Sequence, residues 1–485
     1  MSDFKSLTAR AAREYHDLPA LVSAERAVSY GEYSELVCRA ASNLTALGMQ
    51  PSQRVALLGD NSLEYVVSLM AVIEAGGVAC PVPARLPNAA ARELIERTDC
   101  SYVVTLAEDA GRAVPTTTRQ IQPALLQRPV RVARPAGRVT LEQDATIIFT
   151  SGSSAPPKAV LHSLGNHYFS ALGSNANIPV NPGDRWLLSL PLYHVGGLAI
   201  LFRVLLGGGA VVIPSPGDDL AQSIENTAAT HLSLVPTQLY RLTRQSKKLR
   251  EASLQLKALL LGGAPAPRQV IDDALASGLP VLTSYGLTEM ASQVTTTQCD
   301  DPPEKLATCG RVLEYRDLKM SERGEILVRG KTLFAGYVDR SRIIRPFDPD
   351  GWFATGDVGR TDTDGYLEIH GRIDNMFISG GENIHPEEIE QAMMAVDGVQ
   401  DAIVVGIPDQ EFGARPVAFV RMADNRPEPA GRRALTHILS ERLPRFKIPD
   451  SIYPWPEEFE SSGLKARRRY FADLAQKLAA RNGYR

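Results

Sequence analysis

The segment Thr150-Ser151-Gly152-Ser153-Ser-Ala-Pro-Pro-Lys158 places small residues, hydroxyls and two prolines directly ahead of a lysine. Short side chains let backbone N–H groups approach phosphate oxygens, and the cation offsets their charge, so such a loop suits a polyphosphate. It is not a Walker A loop, in which Gly-Lys-Ser/Thr opens a helix, because Pro156-Pro157 precede Lys158. Taken alone, it reads equally well as a Ser/Gly/Pro surface loop. Tyr285-Gly286-Leu-Thr288-Glu289 offers a flat ring for a base, a hydroxyl for phosphate and a carboxylate oxygen for Mg2+. The plain alternative is a turn that caps a helix with Thr and Glu. Asp357, in Trp352-Phe-Ala-Thr-Gly-Asp357, can accept from both hydroxyls of a ribose, or simply mark a Gly-Asp turn between β segments. In the long stretch Gly371 to Pro386, Arg372 has the reach for ribose or phosphate, and Gly380-Gly381 admit close backbone approach to a ligand. Lys465 follows Ser461-Ser-Gly-Leu464, with Arg467, Arg468 and Arg469 close behind, so a solvated charge is its alternative.

The elements that must position these groups alternate in type. Arg54-Val-Ala-Leu-Leu58, Val78-Ala-Cys-Pro-Val82 and Ala145-Thr-Ile-Ile-Phe149 read as short buried strands. Ser29 precedes a helical pattern over Tyr33 to Leu47, and Asn61-Ser62 caps another over Glu64 to Ala75. Thr230 to Val235 and Lys257 to Leu261 read as strands, Pro236 to Gln245 and Pro267 to Ala276 as helices. This alternation predicts parallel sheets covered by helices. From about Val294 to His370, short strands separated by Gly and Asp turns predict a β-rich subdomain. Beyond Asp374 lies a unit of domain size, with a helix from Pro386 to Ala395 and a strand over Ala402 to Val405. The expected fold is α/β. A large N-terminal domain, residues 1–373, has mainly parallel sheets with helices and a β-rich subdomain. A small α+β C-terminal domain spans residues 374–485.

Composition bounds the partners. The chain has 485 residues, 44% apolar and 22% charged, with a net charge of −3. Those fractions fit a soluble globular protein, and the charge gives no footprint for nucleic acid or an anionic membrane. The most apolar region, Trp186 to Pro214, is interrupted by Pro191, His194, Arg203 and three glycines, so it reads as buried strands and a helix rather than a membrane span. The five cysteines are scattered without a Cys-x-x-Cys pair, which predicts reduced, mostly buried thiols in a cytoplasmic protein. The first residues show no basic region followed by an apolar run, hence no signal peptide is expected. A homo-oligomer is left open.

In this order and at these distances, the motifs from Ser29 to Lys465 resemble the adenylate-forming superfamily: acyl-CoA ligases, peptide-synthetase adenylation domains and luciferases. Within it, Leu188-Ser-Leu-Pro-Leu-Tyr-His-Val-Gly-Gly197, Leu232 to Gln238, Leu259 to Ala264 and Tyr285 to Ser292 are most similar to the o-succinylbenzoate–CoA ligases of menaquinone biosynthesis. The resemblance implies ATP, Mg2+ and coenzyme A. A carboxylate attacks the α-phosphorus of ATP, and a thiol then displaces AMP from the acyl-adenylate. By resemblance, Thr150, Ser151, Gly152, Ser153 and Lys158 hold pyrophosphate. Tyr285, Gly286, Gly262, Gly263 and Ala264 line the adenine site. Thr288 and Glu289 bind phosphate and Mg2+, and Asp357 and Arg372 bind ribose. Lys465 bridges the carboxylate and the α-phosphate. Asp374 is the hinge of a C-terminal domain that rotates between half-reactions, and Gly380-Gly381 meet the CoA arm. His194 stands where the family gates or orients the acyl site, with a satisfied core histidine as its alternative.

For the acid itself, Arg203, Ser233 and Gln293 are candidates. Arg203 sits inside Leu201-Phe-Arg-Val-Leu205, where burial without an anion is costly. A structural ion pair or a snorkelling side chain is the alternative. The chain departs from the family at two places: Ser154-Ala155 replace the usual Thr-Gly of the phosphate loop, and Leu464 replaces the Gly before the lysine.

Overall fold

The computed structural model describes residues 6–83, 86–106, 114–129, 139–150, 157–244, 255–380, 382–409, 412–422, 429–456 and 464–481. Two large sheets dominate. In the nine-stranded sheet, Val281–Leu287, Ala258–Leu261, His231–Leu234, Arg185–Leu187, Ala210–Val212 and Pro19–Val22 run parallel, with antiparallel strands at both edges. In the eight-stranded sheet, Asp144–Phe149, Val78–Val82, Arg54–Leu58, Tyr102–Thr105 and Arg119–Ile121 are parallel. The other edge turns antiparallel through Ala159–Ser163, Gly336–Asp339 and Arg342–Ile344.

The largest core lies between these sheets. Helices Tyr30–Ala46, Leu63–Glu74, Leu164–Asn177 and Val195–Gly207 pack there against Val55, Leu57, Leu21, Val211 and Leu260. Helix Leu63–Glu74 is buried on nearly every side, as its all-round apolar sequence requires. Hydroxyl caps fix where helices begin. Ser29 accepts from the Glu32 N–H, and Ser62 from the Tyr65 N–H. The first of these helices therefore starts at Tyr30, three residues earlier than its apolar pattern suggests. Gly208, with φ +77, ends helix Val195–Gly207 in the left-handed conformation that glycine tolerates.

A four-stranded antiparallel sheet, Arg316–Met320, Glu325–Gly330, Phe353–Thr361 and Leu367–Arg372, forms the β-rich portion. Here one expectation fails. Asp357 is not in a turn between strands but inside the strand Phe353–Thr361, next to a register shift at Val358/Gly359. Gly356 has φ +75, so the local turn signal was real and is absorbed by the irregular strand.

After Arg372 come a short 3-10 helix, Ile373–Asn375, and the hairpin Phe377–Ser379/Glu382–Ile384. The C-terminal portion is built on Val399–Asp409, Gly413–Met422 and Ser451–Pro454. Strand alternation buries Val404, Ala418 and Val420 against helix Pro386–Met394 on one face. The other face, with Ile403, Val405 and Phe419, packs on Phe471 and Ala475 of helix Leu464–Arg481.

All five cysteines are free. Cys80 and Cys100 are buried as expected, but Cys299 is exposed, because its Asp-rich turn lies at the surface. Among the described residues no helix is long and apolar enough to cross a membrane; Trp186 to Pro214 folds as strand, helix and strand.

Candidate active site

Strand Val281–Leu287 carries Tyr285 to the point where the nine-stranded sheet meets the antiparallel one. The Tyr285 hydroxyl donates to Asp357 Oδ2 at 2.6 Å, and Arg372 Nη1 donates to Asp357 Oδ1 at 2.5 Å. Asp357 and Arg372 are direct cross-strand partners, which puts their side chains on one face. Burial and the Asp357 carboxylate push the Tyr285 phenol well above the ordinary tyrosine range, so the ring is a fixed, neutral donor. Arg372 Nε is buried with no hydrogen-bond partner among the described residues, a donor still available for a hydroxyl. Gly262 lies against Ser284, where a Cβ would come within 2.8 Å of its hydroxyl, and Gly263 has φ +85. The turn at Gly262-Gly263 therefore passes close to Ser284, the residue before Tyr285, because its two glycines have no side chains. Gly286 faces Ser292 O, which a Cβ would approach to 2.3 Å, so glycine is needed for the tight pairing with the next strand.

A second group adjoins the first. Tyr337 donates its hydroxyl to Glu289 Oε1 at 2.7 Å, and Lys158 Nζ lies 4.7 Å from the centre of the same ring. Tyr337 thus couples the lysine that ends the first motif to the carboxylate that ends the second. Thr150 and Lys158 close the mouth of the phosphate-like loop: the Thr150 N–H donates to Lys158 O at 2.9 Å, and the Lys158 N–H to Thr150 Oγ1 at 3.2 Å. Ser151, Gly152, Ser153 and the atypical Ser154-Ala155 lie outside the described residues. Glu289 supplies a single carboxylate beside Lys158. That suits Mg2+, which keeps waters and phosphate oxygens rather than requiring a cage of protein ligands. No group of three or more His, Cys, Asp or Glu with metal-binding geometry occurs among the described residues.

Behind Thr288 runs a buried polar relay. His162 Nε2 donates to Thr288 O at 2.7 Å, and Thr146 Oγ1 contacts His167 Nε2 at 2.7 Å and His162 Nδ1 at 3.4 Å. His167 stacks on Phe202 of the helix that carries Arg203. Burial pushes His162 down to about 4, and burial with the neighbouring His162 pushes His167 well below the ordinary histidine range.

Arg203 is 1% exposed. Its Nη2 donates to Gln293 Oε1 at 2.7 Å and to Ser292 Oγ at 3.2 Å, whereas its Nε and Nη1 have no hydrogen-bond partner among the described residues. The guanidinium lies over Trp186, whose indole N–H donates to Ser233 Oγ at 3.1 Å. The structure therefore gathers Arg203, Gln293 and, through Trp186, Ser233. Neither of the plain readings of Arg203 describes it: it does not reach solvent, and its partners are neutral. Gln293 is the register partner of Gly286, so the acid candidates stand one strand away from the nucleotide candidates. His194 is exposed at the N-cap of helix Val195–Gly207, edge-on to Tyr193, and is not a satisfied core histidine.

In the C-terminal portion, Asp374 lies in the 3-10 helix with Arg372 Nη2 at 3.4 Å. Gly380 has φ +60, and its N–H donates to Phe412 O at 2.8 Å. Gly381 lies outside the described residues, as does the Lys465 side chain; the backbone at Lys465 is in the first turn of helix Leu464–Arg481.

Sequence reasoning missed Tyr337, Trp186, His162 and Arg316. Tyr337 follows Phe334-Ala-Gly, a short aromatic and glycine cluster with no spacing that marks it, and its partners come from the Thr288–Met290 turn and from the residue before strand Ala159–Ser163. Arg316, within Tyr315-Arg-Asp317, has the pattern of an exposed strand edge yet is 5% exposed.

The profile of the AMP-binding enzyme family matches residues 8–338, and that of the AMP-binding enzyme C-terminal domain residues 388–462. The 2-succinylbenzoate–CoA ligase of Bacillus cereus strain Q1 is 30% identical over 473 residues, covering 95% of this chain and 97% of that one. The o-succinylbenzoate CoA synthetase (MenE) of Bacillus subtilis in complex with the acyl-adenylate intermediate OSB-AMP superposes with a TM-score of 0.87 at 28% identity, covering 98% and 99% of the two chains. The same synthetase in complex with ATP and magnesium ion gives 0.86 at 28% identity, covering 98% and 99%.

Proposed function

This chain belongs to the AMP-binding enzyme family, and from that premise we propose that it is an AMP-forming acid–CoA ligase that activates o-succinylbenzoate with ATP. The observation that carries the choice of acid is Arg203, a buried guanidinium with two unpartnered nitrogens beside Gln293 and no carboxylate partner among the described residues. o-Succinylbenzoate has two carboxylates. One is activated at the nucleotide, and the ring carboxylate meets Arg203. The relatives that share nearly the full length of the chain bear the same activity in their names.

The residues divide the work by charge. Asp357, held between Tyr285 and Arg372, accepts from the ribose hydroxyls, and the Tyr285 ring flanks adenine. Lys158 and the hydroxyl-rich loop offset the charge of the leaving pyrophosphate. Glu289 and Thr288 hold the magnesium–phosphate end, and Mg2+ bound there supplies further charge neutralisation. Lys465 brings a cation to the place where the carboxylate and the α-phosphate, two anions, must meet. The C-terminal unit, residues 374–485, turns about Asp374 between the half-reactions, so that Gly380-Gly381 replace Lys465 at the acyl group when the CoA thiol attacks. A cytoplasmic location and a role in menaquinone biosynthesis complete the reading.

ATP–pyrophosphate exchange with purified protein across a panel of aryl and acyl acids tests it. Exchange is expected with o-succinylbenzoate above the other acids, followed by thioester formation with free CoA. Absence of exchange with o-succinylbenzoate would sink the choice of acid. Transfer only to a holo carrier protein would replace the acceptor.

A further inference from the structure

Arg316 opens the strand Arg316–Met320 and turns inward. Its Nε donates to Gln293 O at 2.6 Å, Nη1 to Glu314 O at 2.6 Å, and Nη2 to Ser170 O at 3.1 Å and Ser170 Oγ at 3.2 Å. All four acceptors are neutral. Gln293 thus bridges two buried guanidiniums, its main chain taking Arg316 and its side-chain oxygen taking Arg203. No carboxylate pairs with either cation among the described residues. Gln293 is itself held, since its Nε2 donates to Thr296 Oγ1 at 2.6 Å.

The surrounding backbone is shaped to admit this second cation. Tyr315, directly before Arg316, has φ +68, and Ser292, directly before Gln293, has φ +112; neither is glycine. Across from Arg316, helix Leu164–Asn177 carries Gly173, where a Cβ would stand 2.4 Å from Arg316 Nη1. Burying two like charges without a counter-ion is costly, and hydrogen bonds to neutral acceptors offset that cost only in part.

We propose that Arg316 is a further specificity-determining residue of the acid pocket, fixing the main chain of Gln293 and adding its buried charge to that of Arg203, so that the pocket selects acids carrying a second carboxylate. The proposal rests on the reading of Arg203 as the acid-binding cation. A carboxylate that reaches the unpartnered Nε and Nη1 of Arg203 relieves two cations. An acid without it leaves both cations buried among neutral partners, so selectivity arises from the penalty on the wrong substrate as well as from the contact with the right one. Burial and the Arg316 charge push Arg203 down to about 9, and burial pushes Arg316 down to about 9, so both remain charged at neutral pH.

The test compares acids in pairs that differ only by the ring carboxylate, o-succinylbenzoate and 4-oxo-4-phenylbutanoate first, by ATP–pyrophosphate exchange. Arg316→Met should shrink the wild-type ratio of kcat/KM between the two acids about tenfold, through a higher KM for the dicarboxylate, with the KM for ATP changed less than about twofold. Arg316→Lys keeps the charge and should keep the ratio within about threefold of wild type. If the Met variant does not fold, Arg316→Gln, neutral and still a donor, carries the same expectation as Met. Equal losses for both acids, a Lys variant as unselective as the neutral one, or a wild type indifferent to the ring carboxylate would each overturn the proposal. Should the wild type prefer a different aryl dicarboxylic acid, o-succinylbenzoate falls as the substrate, and the same ratio measured on that acid and its monocarboxylate still decides Arg316.

Discussion

Tyr285, Asp357 and Arg372 form a chain of charge-assisted hydrogen bonds whose centre is one carboxylate. Asp357→Asn removes the charge that holds Arg372 and leaves one acceptor where two are used. Hydrogen bonds to charged groups contribute about 1.5–3 kcal/mol each, so the KM for ATP should rise roughly thirtyfold while the KM for the acid stays within about twofold. Arg203→Met should give the converse. Its guanidinium contacts Gln293 and Ser292 and nothing in the nucleotide cluster, so the KM for the acid should rise roughly thirtyfold at an unchanged KM for ATP. Steady-state kinetics with each substrate varied in turn reads both; crossed effects would mean that the two clusters are not separate binding sites. At this scale the sequence offered candidates by residue type. Arg203 stood out as an arginine inside an apolar run, and Asp357 and Glu289, each readable on its own as a plain turn or a helix cap, stood out through the order of the motifs. Tyr337 and Arg316 did not, because their roles depend on partners 48 and 23 residues away that only the folded sheets bring near.

At the scale of elements, the parallel strands and their capped helices were readable because the strands are short apolar runs and the helices begin at serine caps and stop one or two residues before a glycine. Strand Phe353–Thr361 was not, since a glycine at positive φ inside an irregular strand has the same sequence as a turn. What joins the elements is the His162–Thr146–His167 relay, which ties strand Ala159–Ser163 to the Thr288 turn and stacks on helix Val195–Gly207. The relay requires neutral rings. His162 is held down to about 4 by burial, against about 6.5 in the unfolded chain. Between those values the unfolded state binds the proton and the folded state does not, so stability falls as pH drops from 6.5 towards 4, by roughly 3 kcal/mol from this residue. His162→Gln keeps a donor for Thr288 O and does not titrate. Urea unfolding at pH 7 and pH 4.5 should show wild type losing roughly 2 kcal/mol more than the variant over that interval. Parallel losses would mean that His162 is already charged in the folded protein.

At the scale of the whole molecule, Asp357 stands in the four-stranded sheet, whereas Lys465 lies in the first turn of the helix that packs on the three-stranded sheet. Phe471 is buried between Trp455 and Phe419, and Arg468 bonds Glu390 at 2.7 Å, one helical turn after Lys465. These contacts fasten the helix to its own sheet, so a movement of Lys465 relative to Asp357 is expected at the connection. That connection contains the 3-10 helix Ile373–Asn375, flanked by the Asn375 Nδ2 to Glu387 Oε1 bond at 2.5 Å. Proline fixes φ near −65°, a value a 3-10 helix already uses, so Asp374→Pro is compatible with the arrangement seen here and opposes one that needs a different φ at this position. If the C-terminal unit turns about Asp374 between adenylation and thioester formation, the variant should retain one half-reaction within about tenfold and lose the other by at least about a hundredfold. Lys465→Ala separates the chemistry from the motion. Only adenylation joins two anions, so pyrophosphate exchange should fall about 10²- to 10³-fold, while CoA attack on supplied acyl-adenylate changes less than about tenfold. Single-turnover measurement of each half-reaction in both variants decides the matter. Equal losses in the two halves for Asp374→Pro would place the hinge elsewhere, and equal losses for Lys465→Ala would remove that lysine from the adenylation step.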